Sequence, residues 1–320
     1  MRFSNILFIA PIFHLYHEKI IQALKAAGAN VDFYPERDYG LKFKLLNNIS
    51  QNLLTEYQCK HYRNILKKIS TDNIEYDCLF VIRGFMMPAE FLIKFKTLFP
   101  NAKLLMYQWD SNRTNRFSHL VQYFDKVLSF DFKDSDDFSL EYLPLFYTQD
   151  LIPYKKESPK VYDFFFMGTY LPERYSALVK FKEKYENSYT IKSFIYIPKS
   201  SWVKEYLKGI KLSKEVCHTV PIGREEYLSI LSKTRVMVDV SNKAQTGLAM
   251  RIIEALSLGV KVATNNNYIL KDPLFNVNNI CIFDADNPII NEDFVLTPFY
   301  KAECTLSIDE WINKIFQNYL

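Results

Sequence analysis

The chain reads as an α/β protein built from two Rossmann-like, doubly wound domains. Three observations predict this. Short β-branched or aromatic runs alternate with segments of helical period along the sequence, the alternation restarts after a polar two-proline stretch near the middle, and 320 residues are more than one core usually encloses. Such alternation places a helix between successive strands, so the strands should be largely parallel and buried on both faces.

Residues 5–11 form the first strand, an apolar run, and 14–27 carry apolar residues at helical spacing before Gly28 closes the helix. A strand at 31–34 completes a βαβ opening. Residues 48–71 have helical period, 78–83 is an apolar strand, 88–99 a helix, and 103–108 and 126–130 are further strands. After 143–147 comes IPYKKESPKVYD, whose prolines and charges interrupt the pattern. The expected domains are therefore 1–152 and 153–305, with an amphipathic C-terminal helix over 306–320. In the second half, a strand at 164–167 meets a turn at Gly168 and a helix from Pro172. Strands at 190–196 and 218–220, a helix at 225–233, strands at 236–240, 260–264 and 280–283, and the helix at 307–319 complete the pattern. No internal repeat of fixed period is present.

The composition narrows the function classes. Charged residues at 24% are ordinary for a soluble protein, and the 16% aromatic content supplies bulky core side chains. Basic residues exceed acidic ones by 40 − 36 = +4, a surplus that suits anionic ligands or an acidic membrane surface and does not imply nucleic acid. Five scattered cysteines (Cys59, Cys78, Cys217, Cys281, Cys304) lack Cys-x-x-Cys or zinc spacing, so a reduced, cytoplasmic setting is expected. The run ILFIAPIF is too short to span a bilayer and reads as a core strand, with no transmembrane or secretory segment evident. No Gly-x-Gly-x-x-Gly follows the first strand of either half, which disfavours a dinucleotide oxidoreductase.

The most informative segment is VMVDVSNKAQTGLAMRIIEALSLGVKVATNN, residues 236–266. It joins two apolar strands through a polar turn and a helix that Thr246 and Gly247 open and Gly259 closes. Loops at strand ends are where open α/β sheets bind ligands, and N–H groups at a helix start favour phosphate. Arg251 and Glu254, three apart, share a face of that helix. A cation beside a hydroxyl-accepting carboxylate suits a nucleotide diphosphate.

The order strand, Thr-Gly, helix with Arg and Glu, Gly, strand and Thr-Asn in QTGLAMRIIEALSLGVKVATNN resembles the donor domain of GT-B glycosyltransferases that build bacterial capsule or lipopolysaccharide sugars. DFFFMGTYLPERYSAL is similar to the start of the second domain in CgeB-like polysaccharide glycosyltransferases, and KLLMYQWDS, VLSFDFKDSD and YLPLFY look like the end of the first domain in that group. The resemblance implies two Rossmann-like domains facing a cleft, the first binding a glycan or lipid-linked acceptor and the second a nucleotide-sugar donor. The nucleotide sugar is then a substrate, and no further cofactor is implied. A lipid-linked acceptor would bring the chain to the inner face of a membrane as a peripheral protein. Retaining members carry a Glu-x7-Glu pair; Glu254 matches the second member, but Thr246 occupies the first position, so retention does not carry over.

The donor-binding residues expected are Gly168, Thr169, Arg174, Gln245, Thr246, Gly247, Arg251 and Glu254. Gly168 permits close backbone approach and Arg174 can clamp phosphate bidentately, although an ordinary turn with a surface arginine reads the same way. Asp110, in QWDS after a strand, is the candidate base for an inverting transfer, with helix capping as its plain alternative. Asp131 shares that ambiguity. His14, after the first strand, is a second candidate for proton transfer, and Arg83 and Gly84 follow another strand on the acceptor side. No metal site is expected, since DSDD lacks the strand context of a metal-binding Asp-x-Asp and reads as a solvated turn or cap. Two competitors remain: a sugar-nucleotide epimerase of the same fold, and a noncatalytic nucleotide- or sugar-binding subunit of a polysaccharide-assembly complex.

Overall fold

The computed structural model describes residues 3–317 apart from 14, 157 and 302–304. The chain forms two compact units, one of Met1–Leu145, Ala244–Gly247 and Leu306–Leu320, the other of Phe146–Lys243 and Leu248–Thr305. The division precedes the polar two-proline stretch, and the C-terminal helix that the sequence sets apart groups with the first unit.

In chain order the first unit opens with β1 (Asn5–Ala10), α1 (Tyr16–Ala26), β2 (Asn30–Pro35), α2 (Leu41–Ile49), α3 (Gln51–Ile69) and β3 (Cys78–Ile82). It continues through α4 (Ala89–Leu98), β4 (Lys103–Gln108), β5 (Lys126–Ser129), α5 (Phe132–Phe138) and β6 (Glu141–Tyr142). All neighbours run parallel, in the order β2-β1-β3-β4-β5-β6. The helical period over 48–71 resolves into two helices because Ser50 is extended (φ −156°) and its hydroxyl accepts the Leu53 N–H, capping α3. Strand alternation fills both faces. Leu7, Ile9, Leu79 and Val81 pack with Tyr62, Phe91 and Phe95 of α3 and α4. Phe80 and Tyr107 point the other way, against Phe316 and Trp311 with ring centroids 5.4 and 4.7 Å apart. Each such buried ring stabilises by about 1.5–3 kcal/mol relative to exposure.

The second unit contains β7 (Phe146–Tyr147), β8 (Tyr162–Thr169), α6 (Pro172–Tyr185), β9 (Ile191–Tyr196), α7 (Lys199–Leu207), β10 (Cys217–His218) and α8 (Arg224–Ser232). β11 (Thr234–Asp239), α9 (Met250–Ser257), β12 (Lys261–Thr264), β13 (Ile280–Ile282) and α10 (Glu292–Leu296) follow. Its parallel sheet has the order β10-β9-β8-β11-β12-β13. Phe164, Phe166, Val236 and Val238 bury one face against Ala177, Leu178 and Phe181 of α6, while Phe165 meets Tyr227 of α8 on the other. The chain closes with β14 (Leu306–Ser307) and α11 (Ile308–Ile315), the latter fixed by a capping box between Ser307 and Glu310.

Both sheets are doubly wound, and each has one place where the strand order reverses, between β1 and β3 in the first and between β8 and β11 in the second. Side chains beyond the carboxyl ends of those strands are positioned to meet a ligand. Among the described residues no helix is long and apolar enough to cross a membrane.

Candidate functional site

In the second unit the reversal point is bridged by Arg174. Pro172 starts α6 with its φ preset for helix, so Arg174 lies in the first turn, where its Nη1 donates to the Thr169 carbonyl at 2.6 Å and its Nε to the Val240 carbonyl at 2.9 Å. These carbonyls belong to the ends of β8 and β11. Gly168 leaves room beneath the side chain, since a Cβ there would sit 3.1 Å from Arg174 Cδ and press the arginine outward.

Asp239, fully buried at the end of β11, accepts the hydroxyls of Ser241 at 2.6 Å and Thr264 at 2.8 Å and pairs with the Arg251 guanidinium. Burial alone would raise its pKa, but Arg251, the two hydroxyls and Arg174 outweigh burial and hold it below the usual carboxylate range. Arg174 is lowered to about 10, first by burial and then by Arg251, with Asp239 opposing. Arg251 pairs with Asp239 while Arg174 lies near enough to feel both, and the Arg251 Nε is buried without a hydrogen-bond partner among the described residues. The locality carries an unneutralised positive charge and an unsatisfied donor, the electrostatic complement of a phosphate.

Helix α9 begins at Met250 rather than at Thr246 and Gly247. Residues 244–249 stay irregular because the Thr246 and Gly247 N–H groups donate to the Asp131 carboxylate, at 2.6 and 3.1 Å, instead of entering a helix. Glu254 lies inside α9, and Arg251 does not pair with it. Its carboxylate accepts Arg224 Nη1 at 2.6 Å and Tyr227 Oη at 2.8 Å, and Arg224 reaches on to Asp150 and Thr148. Burial pushes the Glu254 pKa up, against the pull of Arg224.

The first unit holds a second constellation at its own reversal point. Arg83, directly after β3, has a left-handed backbone (φ 67°), uncommon for a residue with a side chain and costly to hold. Its carbonyl accepts Gln108 Nε2 at 2.9 Å and Asn115 Nδ2 at 3.1 Å, which fixes the conformation. Its guanidinium lies between Glu36, fully buried after β2, and Asp110 after β4, with Nη1 3.2 Å from Asp110 Oδ2. Burial raises the Asp110 pKa while Arg83 and Gln245, whose Nε2 donates to Oδ1 at 3.3 Å, lower it. Asp110 caps no helix. That role falls to Asp131, which accepts the Asp134 N–H at 3.1 Å at the start of α5, so DSDD forms part of a helix.

The structure brings Gly168 and Thr169 to Arg174, and Arg174 close to the Arg251–Asp239 pair. The polar contacts of Gln245 and Thr246 run instead to Asp110 and Asp131, with Thr246 Oγ1 2.7 Å from Asp131 Oδ1, while Gly247 also packs on Phe130. His14 lies outside the described residues. Sequence reading missed Asp239, Arg224, Tyr227 and Glu36. Asp239 had a signal, a carboxylate inside the apolar run VMVDV, where a buried charge demands a cation.

No protein-family model matches this chain, and no curated protein sequence matches it. Solved structures do. A sucrose-phosphate synthase from Thermosynechococcus elongatus aligns over 89% of this chain and 87% of its own at 12% identity and a TM-score of 0.58. AviGT4, a glycosyltransferase involved in avilamycin A biosynthesis, aligns over 98% and 92% at 11% identity and 0.54. The lipopolysaccharide outer core galactosyltransferase WaaB aligns over 99% and 96% at 13% and 0.51. The fold is therefore that of GT-B proteins, as the sequence resemblance implied. A UDP-GlcNAc 2-epimerase from Neisseria meningitidis shares it, at 9% identity and 0.51 over 89% and 88%, so the fold by itself does not separate transfer from epimerisation. None of these comparisons bears on the narrower CgeB-like resemblance.

Proposed function

We propose that this protein is a glycosyltransferase that moves a sugar from a nucleotide-sugar donor to a glycan or lipid-linked acceptor in surface polysaccharide or lipopolysaccharide synthesis, at the cytoplasmic face of a membrane. The observation that carries the reading is the pair Arg174 and Arg251 at the sheet reversal, beside Asp239, with an Arg251 Nε–H that is buried and unpartnered among the described residues.

A departing nucleoside diphosphate develops negative charge as the sugar bond breaks, and fixed guanidiniums stabilise it without reorganising. That assigns leaving-group neutralisation to arginine, so chelators should leave the activity unchanged. Glu254, tied to Arg224 and Tyr227, is the donor-side carboxylate for ribose hydroxyls. Asp110 is the base that takes the acceptor hydroxyl's proton: burial raises its proton affinity toward working pH, and Arg83 keeps it oriented. His14 is the alternative proton acceptor.

Calorimetric titration with UDP, GDP, ADP, TDP and CMP, on the wild type and on Arg251→Gln and Glu254→Ala, tests the donor site. Selective binding of one nucleotide, weakened about ten-fold or more in Arg251→Gln, is expected from loss of a charge-assisted clamp. A folded protein that binds none of them would overturn the proposal. Slow donor hydrolysis without acceptor would accord with transfer, whereas release of a free epimerised sugar would assign the epimerase chemistry.

A further inference from the structure

Helix α7 and the chain after it carry charge and an apolar face that the nucleotide site does not use. Over residues 199–214, KSSWVKEYLKGIKLSK, five lysines accompany one glutamate, a net 5 − 1 = +4. Glu205 is buried and already bound, by Lys208 at 2.7 Å and the Tyr170 hydroxyl at 3.2 Å. Lys199, Lys204, Lys211 and Lys214 have no ion-pair partner among the described residues.

Trp202 packs against the core and anchors the helix. Val203, Tyr206 and Leu207, at i, i+3 and i+4, project from it 54%, 65% and 78% exposed, and Ile210 continues the apolar surface. Lys199 and Lys214 line a hollow of about 720 Å³ whose other walls include Val203, Trp202 and Val220.

We propose that this face docks on an anionic lipid bilayer, with the lysines over headgroup phosphates and Val203 and Leu207 entering the acyl boundary. Five lysines against one buried glutamate complement an anionic surface, and two copies of the segment would repel, which disfavours self-association through it. The exposed Leu41, Leu45 and Ile49 stripe on α2 is a weaker match, because its flanking charges are only Lys42 and Lys44 and Lys42 sits over the Tyr57 ring. The contact deepens the membrane-facing part of the proposed function and is independent of the donor chemistry.

The test is cosedimentation of the full chain, without nucleotide, with vesicles of phosphatidylcholine alone and of equal parts phosphatidylcholine and phosphatidylglycerol. Binding to the anionic vesicles only, weakened by salt, is expected. Lys204→Gln and Lys211→Gln should each lower the partition coefficient about five-fold, and Leu207→Ser about ten-fold, with circular dichroism and nucleotide titration unchanged. Those two readouts separate failure of this contact from failure of the transferase reading. Equal binding to neutral vesicles, no binding, or binding unchanged in all three variants would overturn it. So would loss confined to Leu45→Ser, equally tight binding of polyglutamate, or a dimer that Leu207→Ser dissolves, each of which assigns a different surface or occupant.

Discussion

Gly168 and Arg174 are packed so closely that a Cβ on the glycine would lie 3.1 Å from the arginine Cδ and 3.3 Å from its Nη1. Gly168→Ala should therefore push the guanidinium off the Thr169 and Val240 carbonyls by a few tenths of an ångström without unfolding the protein. The expected result is diphosphate binding weaker by roughly ten-fold, the cost of misplacing one charge-assisted contact, with a melting temperature close to wild type. Calorimetry and thermal unfolding on the same preparation check both halves.

Arg224 and Glu254 form an ion pair in which the carboxylate is almost fully buried and the arginine is a third exposed. Arg224→Ala removes the guanidinium paired with that buried carboxylate, and urea unfolding near neutral pH should show a loss of about 3–5 kcal/mol. Glu254→Gln, which removes the buried charge together with its need for a partner, should cost less. The deficit of Arg224→Ala should shrink as pH falls, because the uncompensated carboxyl then takes up a proton.

Gly247 and Phe130 leave no room for a side chain: a Cβ on Gly247 would meet both the Phe130 ring and its carbonyl oxygen at 2.5 Å. Gly247→Ala should cost about 1–3 kcal/mol by overpacking. Adding Phe130→Leu should restore only part of this, since the backbone oxygen stays in place. Full rescue in the double variant would show that the ring alone is the obstacle.

Asp134 titrates well above the usual aspartate range. Burial raises its pKa from 3.8 to about 6, with Asp131 and Asp137 adding to the rise and the Asn112 N–H, 2.6 Å away, opposing it. The folded state therefore holds a proton that the unfolded chain releases, so stability should fall as pH rises from 3.8 through about 6 and level off above. Asp134→Asn keeps an acceptor for Asn112 and should remove that slope in a series of denaturant midpoints. An unchanged slope would assign the titration elsewhere.

Much of the second unit was legible because local chemistry already constrained it. The β-branched run VMVDV, the glycine turn at Gly168 and the proline that begins α6 each limit the backbone without help from distant residues, and the strands and helix formed close to where they were expected. The start of α9 was misplaced because Thr246 and Gly247 are good helix openers locally but spend their N–H groups on Asp131, more than a hundred residues earlier. No element was assigned over α7, which Trp202 anchors by packing against the core.

By itself the sequence determined the class of fold, because apolar periodicity and turn chemistry are local properties that fix which segments are strands, which are helices, and that the strands run parallel. It also placed Arg174 and Arg251 in the helices that follow β8 and β11, and Asp110 just after a strand. Only the tertiary structure decided which charges meet. Asp239 with Arg251, Arg224 with Glu254, and Glu36 with Arg83 are pairings between elements that follow sheet order rather than chain order. Their strength comes from burial, which no stretch of sequence supplies until the strands have closed around it.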